Sequence, residues 1–397
     1  MGSRVEPELA PRDATSMSIP LFDANLTRTA ATGLYAEPDF RFLNRSSRKP
    51  FARVRTEFQS YYNRYPRGDN QTDVRRRFRS ERNRTHRGAA LELFVHELLV
   101  RLGADVTIHP FVEGFGRRPD FLANWDGIAC HVEVTYESGA SAHSETLELL
   151  TNQVYDAIDS QIRPTKNYLA VQVTGAVSRL PARSVFVTPI RKWLEAIEIV
   201  PGNAPPVLAL PLAGGSLRVE LLPTTSRDAK SSSFRPIGAI IGEARFVDDV
   251  SPVAEAIRTK GKGYPDTLPY VVVVGSRWTV DDDDLREALF GRVAYVIGKD
   301  SAGEFEARPQ PTWDGVWGSP AFPRRRRISA VLHIPGFVAW SALSRPGLIV
   351  HNPWAERPLQ DSPFDSLRRI SAESGQLREI SGKSLRELFS MPQGWPE

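Results

Sequence analysis

Apolar and polar positions follow their most regular pattern between residues 85 and 137. From Arg87 to Leu102, apolar side chains recur every three or four residues, which predicts a helix with one apolar stripe. Glu92 and His96 are four residues apart and therefore share another face of that helix. Gly103 follows directly and is typical of a helix end.

Three short extended segments are predicted after this helix. They run from Val106 to Val112, from Asp120 to Asn124 and from Ile128 to Tyr136. The last two are separated by Asp126 and Gly127, which is a sequence that favours a tight turn. The pattern therefore predicts a hairpin that directly follows the helix.

The third extended segment separates polar from apolar side chains. Alternation places His131, Glu133 and Thr135 on one face of the strand and sends Cys130, Val132 and Val134 to the other. Asp120 lies on the neighbouring strand and Glu92 on the preceding helix, so three acids can converge at the edge of a small sheet. Converging carboxylates suit a hard divalent cation such as Mg²⁺, which can polarise a phosphodiester and activate water.

Two phrases in this region resemble the PD-(D/E)xK motif of the restriction-endonuclease-like nuclease superfamily. The phrases are Arg118-Pro119-Asp120-Phe121 and His131-Val132-Glu133-Val134-Thr135. The resemblance implies that Asp120 and Glu133 bind Mg²⁺ or Mn²⁺. It also implies that Glu92, in the place of the superfamily's helix-borne acid, binds the ion through water or positions a second ion. Glu97 is the alternative helix acid.

The order of the predicted elements agrees with the core that this resemblance implies. A second helix is predicted from Ser144 to Ile162 and a fourth strand from Tyr168 to Thr174, which completes the order αβββαβ. The expected fold class is α/β, with a restriction-endonuclease-like core, a mixed central sheet and a C-terminal α/β extension.

The chain departs from the motif at the position of the superfamily's lysine. Thr135 stands there, and a hydroxyl cannot supply the positive charge. Another cation is therefore expected to enter the site. Lys260 and Lys262 rank first, because they end a helix that leads into a buried strand, and Lys166 ranks next. His131 is an alternative as general base or charge-neutralising group, unless it is a structural histidine.

The predicted organisation has four parts. Residues 1–40 form a flexible N-terminal arm, 41–87 a basic aromatic-rich helical segment, 88–232 the core and 233–397 a C-terminal α/β region, with the softest boundary near Ser231 to Ser233. Three phrases in the last part, GYPDTLPYVVVV, EALFG and HNPWAERPL, resemble the tail of an uncharacterised bacterial protein family whose front half carries a PD-(D/E)xK-like motif. That likeness implies a fold and no established substrate.

Charge is unevenly distributed along the 397 residues. Between Arg41 and Arg87 there are fifteen Lys or Arg against four acids, a local charge of +11, which leaves −7 for the rest of a chain whose net charge is +4. The same segment carries seven Phe or Tyr residues, so either it binds nucleic acid or its aromatics anchor helices to the core while its arginines are solvated. The arginines expected to contact phosphates are Arg75, Arg76, Arg77, Arg79 and Arg118.

Composition restricts the remaining function classes. Cys130 is the sole cysteine, which excludes an intrachain disulfide and a cysteine-based zinc site. The longest apolar run, Tyr270 to Val274, is too short to span a bilayer, and no apolar signal region is present, so a cytoplasmic protein is expected.

Two functional hypotheses follow from the sequence. The leading one is a Mg²⁺-dependent nuclease that cleaves phosphodiester bonds, in DNA rather than RNA, within a bacterial defence or DNA-processing system. The alternative is an inactive protein with a nuclease fold that acts as a DNA-binding or scaffold subunit, which Thr135 favours. The expected partners are nucleic acid and either a second copy of the chain or another protein in a larger complex.

Overall fold

The computed structural model describes residues 19–114, 116–162, 167–197, 204–222, 235–242, 248–261, 267–277, 279–299, 305–373 and 376–397. Across these residues the chain is a mixed α/β protein with an eight-stranded mixed sheet, a four-stranded sheet and a two-stranded sheet. The predicted α/β class is confirmed at this level.

Four helices come first and cover one face of the large sheet. They are α1 (Asp39–Arg45), α2 (Lys49–Arg64), α3 (Asp69–Phe78) and α4 (Asn83–Arg101). The predicted motif helix is α4, and its side chains are buried almost all round rather than along one stripe. Helix α4 is therefore packed between the large sheet on one side and the helices α2 and α3 on the other.

The next three strands form the predicted hairpin and its neighbour. Strand β1 (Asp105–Ile108) pairs antiparallel with β2 (Phe121–Trp125), which pairs antiparallel with β3 (Ile128–Glu137). The turn between β2 and β3 needs a left-handed backbone at Gly127, whose φ is +87°, and glycine adopts it without a steric cost.

The chain then leaves the large sheet and builds a smaller one. Helix α5 (Ala142–Gln161) and helix α6 (Arg183–Ala196) pack on a four-stranded sheet with the order β5-β6-β4-β7. Its strands are β4 (Tyr168–Gly175), β5 (Val207–Leu212), β6 (Gly215–Leu222) and β7 (Ile237–Ile240).

The large sheet resumes after this inserted unit. Helix α7 (Val250–Lys260) leads into β8 (Tyr270–Ser276), which lies parallel to β3. Helix α8 (Asp282–Phe290) and the two-stranded sheet of β9 (Val293–Lys299) and β10 (Phe305–Pro311) follow. The remaining elements are β11 (Ala330–Ile334), β12 (Leu348–His351), β13 (Arg369–Glu373), β14 (Gln376–Ile380) and the short helix α9 (Leu385–Leu388).

The large sheet has a hydrophobic core on each face. Its order is β1-β2-β3-β8-β11-β12-β13-β14. One core joins the sheet to α1–α4, and the other joins it to α7 and α8. Because both faces of β8 are covered, Val271 to Val274 are all fully buried, as expected for a central parallel strand.

The predicted assignment of the fourth strand is wrong. Residues Tyr168 to Thr174 do form a strand, but it belongs to the small sheet, and β8 is the strand that pairs with β3. The predicted helix from Ser144 to Ile162 likewise packs on the small sheet, and α7 takes the expected place beside β3. The order αβββαβ is therefore completed by α7 and β8, across an insertion.

The predicted domain boundaries also change. The division at residue 232 does not separate two sheets, since β8 and β11 to β14 continue the sheet that β1 to β3 begin. The proposed boundary near Ser231 to Ser233 lies outside the described residues. Within the expected N-terminal arm, Leu21 and Phe22 are buried in the core under α1 to α3, so this part of the arm is docked.

Candidate active site

A partly buried ion pair joins the strand β3 to the helix α7. Lys260 Nζ donates to Glu133 Oε1 at 2.6 Å. The Glu133 side chain is 8% exposed and that of Lys260 is 32% exposed. The pair forms because β3 and β8 are parallel, so α7 crosses over the sheet between them, and its last turn lies against β3.

The end of α7 is fixed by the strand that follows it. The Tyr270 hydroxyl donates to the Lys260 carbonyl at 2.9 Å, and Tyr270 is opposite His131 in the parallel register of β3 and β8. The predicted replacement of the motif lysine by Lys260 is thereby consistent with the geometry. Lys262 and Lys166 lie outside the described residues.

Asp120 lies beside this pair, immediately before β2. Its Oδ2 accepts a hydrogen bond of 2.7 Å from the backbone N–H of Val134, which ties the carboxylate to β3. Burial raises the pKa of Asp120 to about 7, and the negative charges of Glu133 and Glu92 add to this shift. The Val134 hydrogen bond and the Lys260 charge act in the opposite direction. The site therefore contains a carboxyl whose ionisation is unfavourable without a further positive charge.

Glu92 contributes a negative charge to the site, but both its oxygens are engaged elsewhere. Tyr65 Oη donates to Oε1 and an Arg77 guanidinium nitrogen donates to Oε2, each at 2.7 Å. Arg77 also pairs with Asp73. Helix α3 thus already supplies a counter-ion to Glu92, the acid expected to bind the ion through water or to position a second ion. The alternative acid Glu97 is paired with Arg64 and Arg101.

Two carboxylates, those of Asp120 and Glu133, are close enough for each to affect the other electrostatically. Among the residues that the structure describes, no group of three or more His, Cys, Asp or Glu side chains could hold a metal ion. Mg²⁺ is commonly held by one or two carboxylates together with substrate phosphates and water. A positive charge beside Asp120 would oppose the rise of its pKa.

His131 and Thr135 lie on the same face of β3 as Glu133, as alternation predicts. Their register partners on β8 are Tyr270 and Val274, which belong to the core under α7 and α8. Burial lowers the pKa of His131, so the imidazole is neutral at physiological pH and supplies no charge to the site. Thr135 is half-buried.

His109 is a site residue that the sequence pattern did not reveal. Its Nε2 lies 3.9 Å from Asp120 Oδ1, and its Nδ1 is 3.2 Å from Asn70 Oδ1. Its φ is +45°, in the left-handed region, which costs a non-glycine residue about 1 kcal/mol. The sequence pattern predicts that His109 lies inside a strand from Val106 to Val112, and this end of the strand is wrong, because β1 ends at Ile108.

Most of the arginines predicted to bind nucleic acid have partners within the chain. Arg76 and Arg77 pair with Asp73, Arg79 pairs with Asp23, and Arg75 donates to the carbonyl of Pro20. Most of the aromatics of this segment are buried in the core rather than exposed for stacking, and these are Phe58, Tyr61, Tyr62, Tyr65 and Phe78. These aromatic residues thus anchor helices to the core, which agrees with the second of the two interpretations given for residues 41–87.

Arg118 lies in a different environment, two residues before Asp120 on the connection between β1 and β2. Arg117 and Arg118 are exposed there, and Phe111 on the same connection is 75% exposed. The connection that ends at Asp120 therefore carries exposed cationic and aromatic groups.

No family model, no curated protein and no solved structure matches the chain. Among the described residues, no helix has the length and apolar character needed to cross a membrane.

Proposed function

We propose that the chain is a metal-dependent nuclease of the restriction-endonuclease-like class, with Asp120 and Glu133 as metal ligands and Lys260 as the catalytic cation. The observation that carries the proposal is the 2.6 Å contact between Lys260 Nζ and Glu133 Oε1. Lys260 thereby supplies the positive charge that Thr135 cannot provide. That charge lies beside Glu133, the second acid of the PD-(D/E)xK-like motif.

The order of elements around the site supports the same proposal. Helix α4, the antiparallel strands β1 to β3, helix α7 and the parallel strand β8 follow one another as αβββαβ, if the inserted unit of α5 to β7 is set aside. Glu133 is on β3, and Asp120 lies immediately before the neighbouring strand β2. The motif and the order of elements are two separate observations, which makes coincidence a weaker explanation.

Each residue of the site has a defined part in the proposed reaction. Asp120 and Glu133 hold the cation, which when bound polarises the phosphodiester and lowers the pKa of the attacking water. Lys260 neutralises charge on the scissile phosphate and orients that water. Val134 fixes the Asp120 carboxylate through its N–H, so the carboxylate needs little reorganisation when the substrate arrives.

DNA is the proposed substrate, bound through phosphate contacts near the site. Arg117, Arg118 and Phe111 on the β1–β2 connection supply the contacts closest to Asp120. Because backbone contacts release counterions, binding is expected to weaken steeply as the salt concentration rises. Binding that does not change with salt would exclude an electrostatic contact to the phosphates.

A cleavage assay tests the proposal directly. Supercoiled, linear and single-stranded DNA and RNA are incubated with the protein in Mg²⁺ or Mn²⁺. We expect cleavage by the wild type and by Glu113→Ala, a control that removes an exposed acid from the β1–β2 connection. We expect no cleavage by Asp120→Ala, Glu133→Ala or Lys260→Ala. Cleavage that survives all three substitutions would place the chemistry elsewhere.

A non-catalytic DNA-binding or scaffold protein is the second candidate. It is favoured by the fact that Glu133 and Glu92 are already neutralised, by Lys260 and Arg77 respectively. In this case the wild type binds DNA in a salt-dependent manner but cleaves none of the four substrates with either metal. Isothermal titration calorimetry with Mg²⁺ then separates the two candidates, since only the nuclease needs an ion at Asp120.

A further inference from the structure

The two-stranded sheet of β9 and β10 has one mainly apolar face. In its antiparallel register Tyr295 is opposite Pro309 and Ile297 is opposite Ala307, so these side chains lie on the same face. By alternation this face carries Val293, Tyr295 and Ile297 from β9, and Phe305, Ala307, Pro309 and Pro311 from β10. Lys299, which is in register with Phe305, ends the row on β9.

The large side chains of this face are exposed. Val293 is 64% exposed, Tyr295 71%, Ile297 70% and Phe305 75%. Isolated apolar residues are common on protein surfaces, but a contiguous apolar face marks a site of association. The strands also leave two unpaired edges, because β9 and β10 pair only with each other among the described strands.

We propose that this face joins two copies of the chain as a symmetric dimer. Apart from Lys299 at its end, the face offers no charge that could recognise nucleic acid or an acidic or basic protein, whereas an identical, mainly apolar face is complementary to it. A two-fold axis through the sheet would place the face of one copy against the same face of the other, which is the usual geometry of a homodimer.

The area available agrees with a dimer of this kind. Large apolar side chains expose on the order of 150 Å² each, so four that are about 70% exposed contribute roughly 400 Å² per copy. Two copies together bury about 800 Å² from these side chains. Ala307, Pro309, Pro311 and the backbone raise this to about 1,000 Å², the lower limit for a specific interface.

The oligomeric state of the full chain in solution tests the proposal. Sedimentation velocity over a concentration series is run on the wild type and on the triple variant Tyr295→Thr, Ile297→Thr and Phe305→Thr. Threonine keeps the preference for a strand but removes most of the apolar area. The matched control is Val296→Thr, on the opposite face of the same strand, where Val296 is 49% exposed.

We expect a concentration-dependent dimer for the wild type and for the control, and a dissociation constant at least roughly a hundredfold higher for the triple variant. A wild type that stays monomeric at every concentration overturns the proposal. A wild type that does not dimerise but co-purifies with another protein bound to this face overturns it as well. A triple variant that dimerises as well as the wild type also overturns it.

A cross-linking experiment locates the interface independently of stability. Cys130 is buried and burial raises its pKa to about 12, so it gives little background reaction. A short bis-maleimide should link two copies of Tyr295→Cys much faster than two copies of Val296→Cys. Equal rates for the two variants would show that the apolar face is not the contact.

Discussion

Replacing Asp120 by asparagine should stabilise the protein at alkaline pH. The wild-type carboxyl has a pKa raised from 3.8 to about 7, because it is buried near Glu133 and Glu92. Keeping this group ionised above pH 7 therefore opposes folding, and a shift of this size corresponds to about 4 kcal/mol. Asparagine removes the charge and retains an oxygen that can accept the hydrogen bond from Val134.

The sign of this effect depends on pH in a defined way. Between about pH 4 and pH 7 the folded state keeps the Asp120 proton that the unfolded state has lost, so the free energy of unfolding of the wild type falls as the pH rises. Below about pH 4 the carboxyl is protonated in both states, so Asp120 no longer makes the free energy of unfolding depend on pH. We therefore expect Asp120→Asn to equal the wild type near pH 4 and to exceed it by about 1 to 4 kcal/mol at pH 8.

Urea denaturation at a series of pH values measures this difference. Without added metal, the stability gain of Asp120→Asn should grow from pH 4 to pH 7 and then level off. Mg²⁺ should stabilise the wild type more than the variant, because the variant retains only one of the two proposed carboxylate ligands, Glu133. The control Glu113→Gln should show neither effect. A gain that is constant over the whole pH range would refute the view that Asp120 is a carboxyl destabilised by its neighbours.

Three further results are expected. Lys260→Met should abolish cleavage and lower the free energy of unfolding by about 2 kcal/mol in urea denaturation, because it leaves the buried Glu133 without its partner. Phe111→Ala should weaken binding of a fluorescent single-stranded DNA by about 1 kcal/mol or more, whereas Phe322→Ala, with a similarly exposed ring elsewhere on the surface, should not. Arg77→Met should lower the melting temperature and reduce the free energy of unfolding by about 3 kcal/mol, because Glu92 on α4 then loses its counter-ion.

Local patterns were sufficient to predict the elements that carry the site. The alternation from Cys130 to Thr135 gives the two faces of β3 correctly, and Asp126-Gly127 forms the turn to β2. These two features depend on residues close in sequence, so periodicity and turn chemistry determine them. The pattern ranks Lys260 and Lys262 first together, because both end a helix before a buried strand. The contact of Lys260 with Glu133 spans 127 residues, and local patterns do not determine it.

The partner of β3 could not be predicted in the same way, because strand pairing is a long-range property. The chain contains two helix-strand units after β3, and either could complete the order αβββαβ. Their patterns do differ in one respect. The strand β4 alternates, with Gln172 and Thr174 on its half-buried face, whereas Val271 to Val274 form a continuous apolar run. A central parallel strand is covered on both faces and needs the continuous run.

The arginines upstream of α4 show a second limit of sequence reasoning. A local charge of +11 suggests an acidic polymer, but charge counts do not show which side chains have partners. Here the cations of α3 pair with Asp73, Asp23 and Glu92, so part of the excess stabilises the helical layer. Contacts that span fifteen or more residues, such as Arg77 to Glu92, depend on how α3 packs on α4.

The charge balance of the site is compatible with a catalytic lysine on the helix α7 instead of the strand β3. Asp120, Glu133 and Lys260 together carry −1 when Asp120 is ionised, while Glu92 and Arg77 cancel each other. A bound divalent cation changes this sum to +1, which favours an anionic phosphodiester. A lysine at position 135 would add a second ammonium on the face that Lys260 already occupies. Thr135 is therefore compatible with the proposed chemistry, in which Lys260 supplies the positive charge.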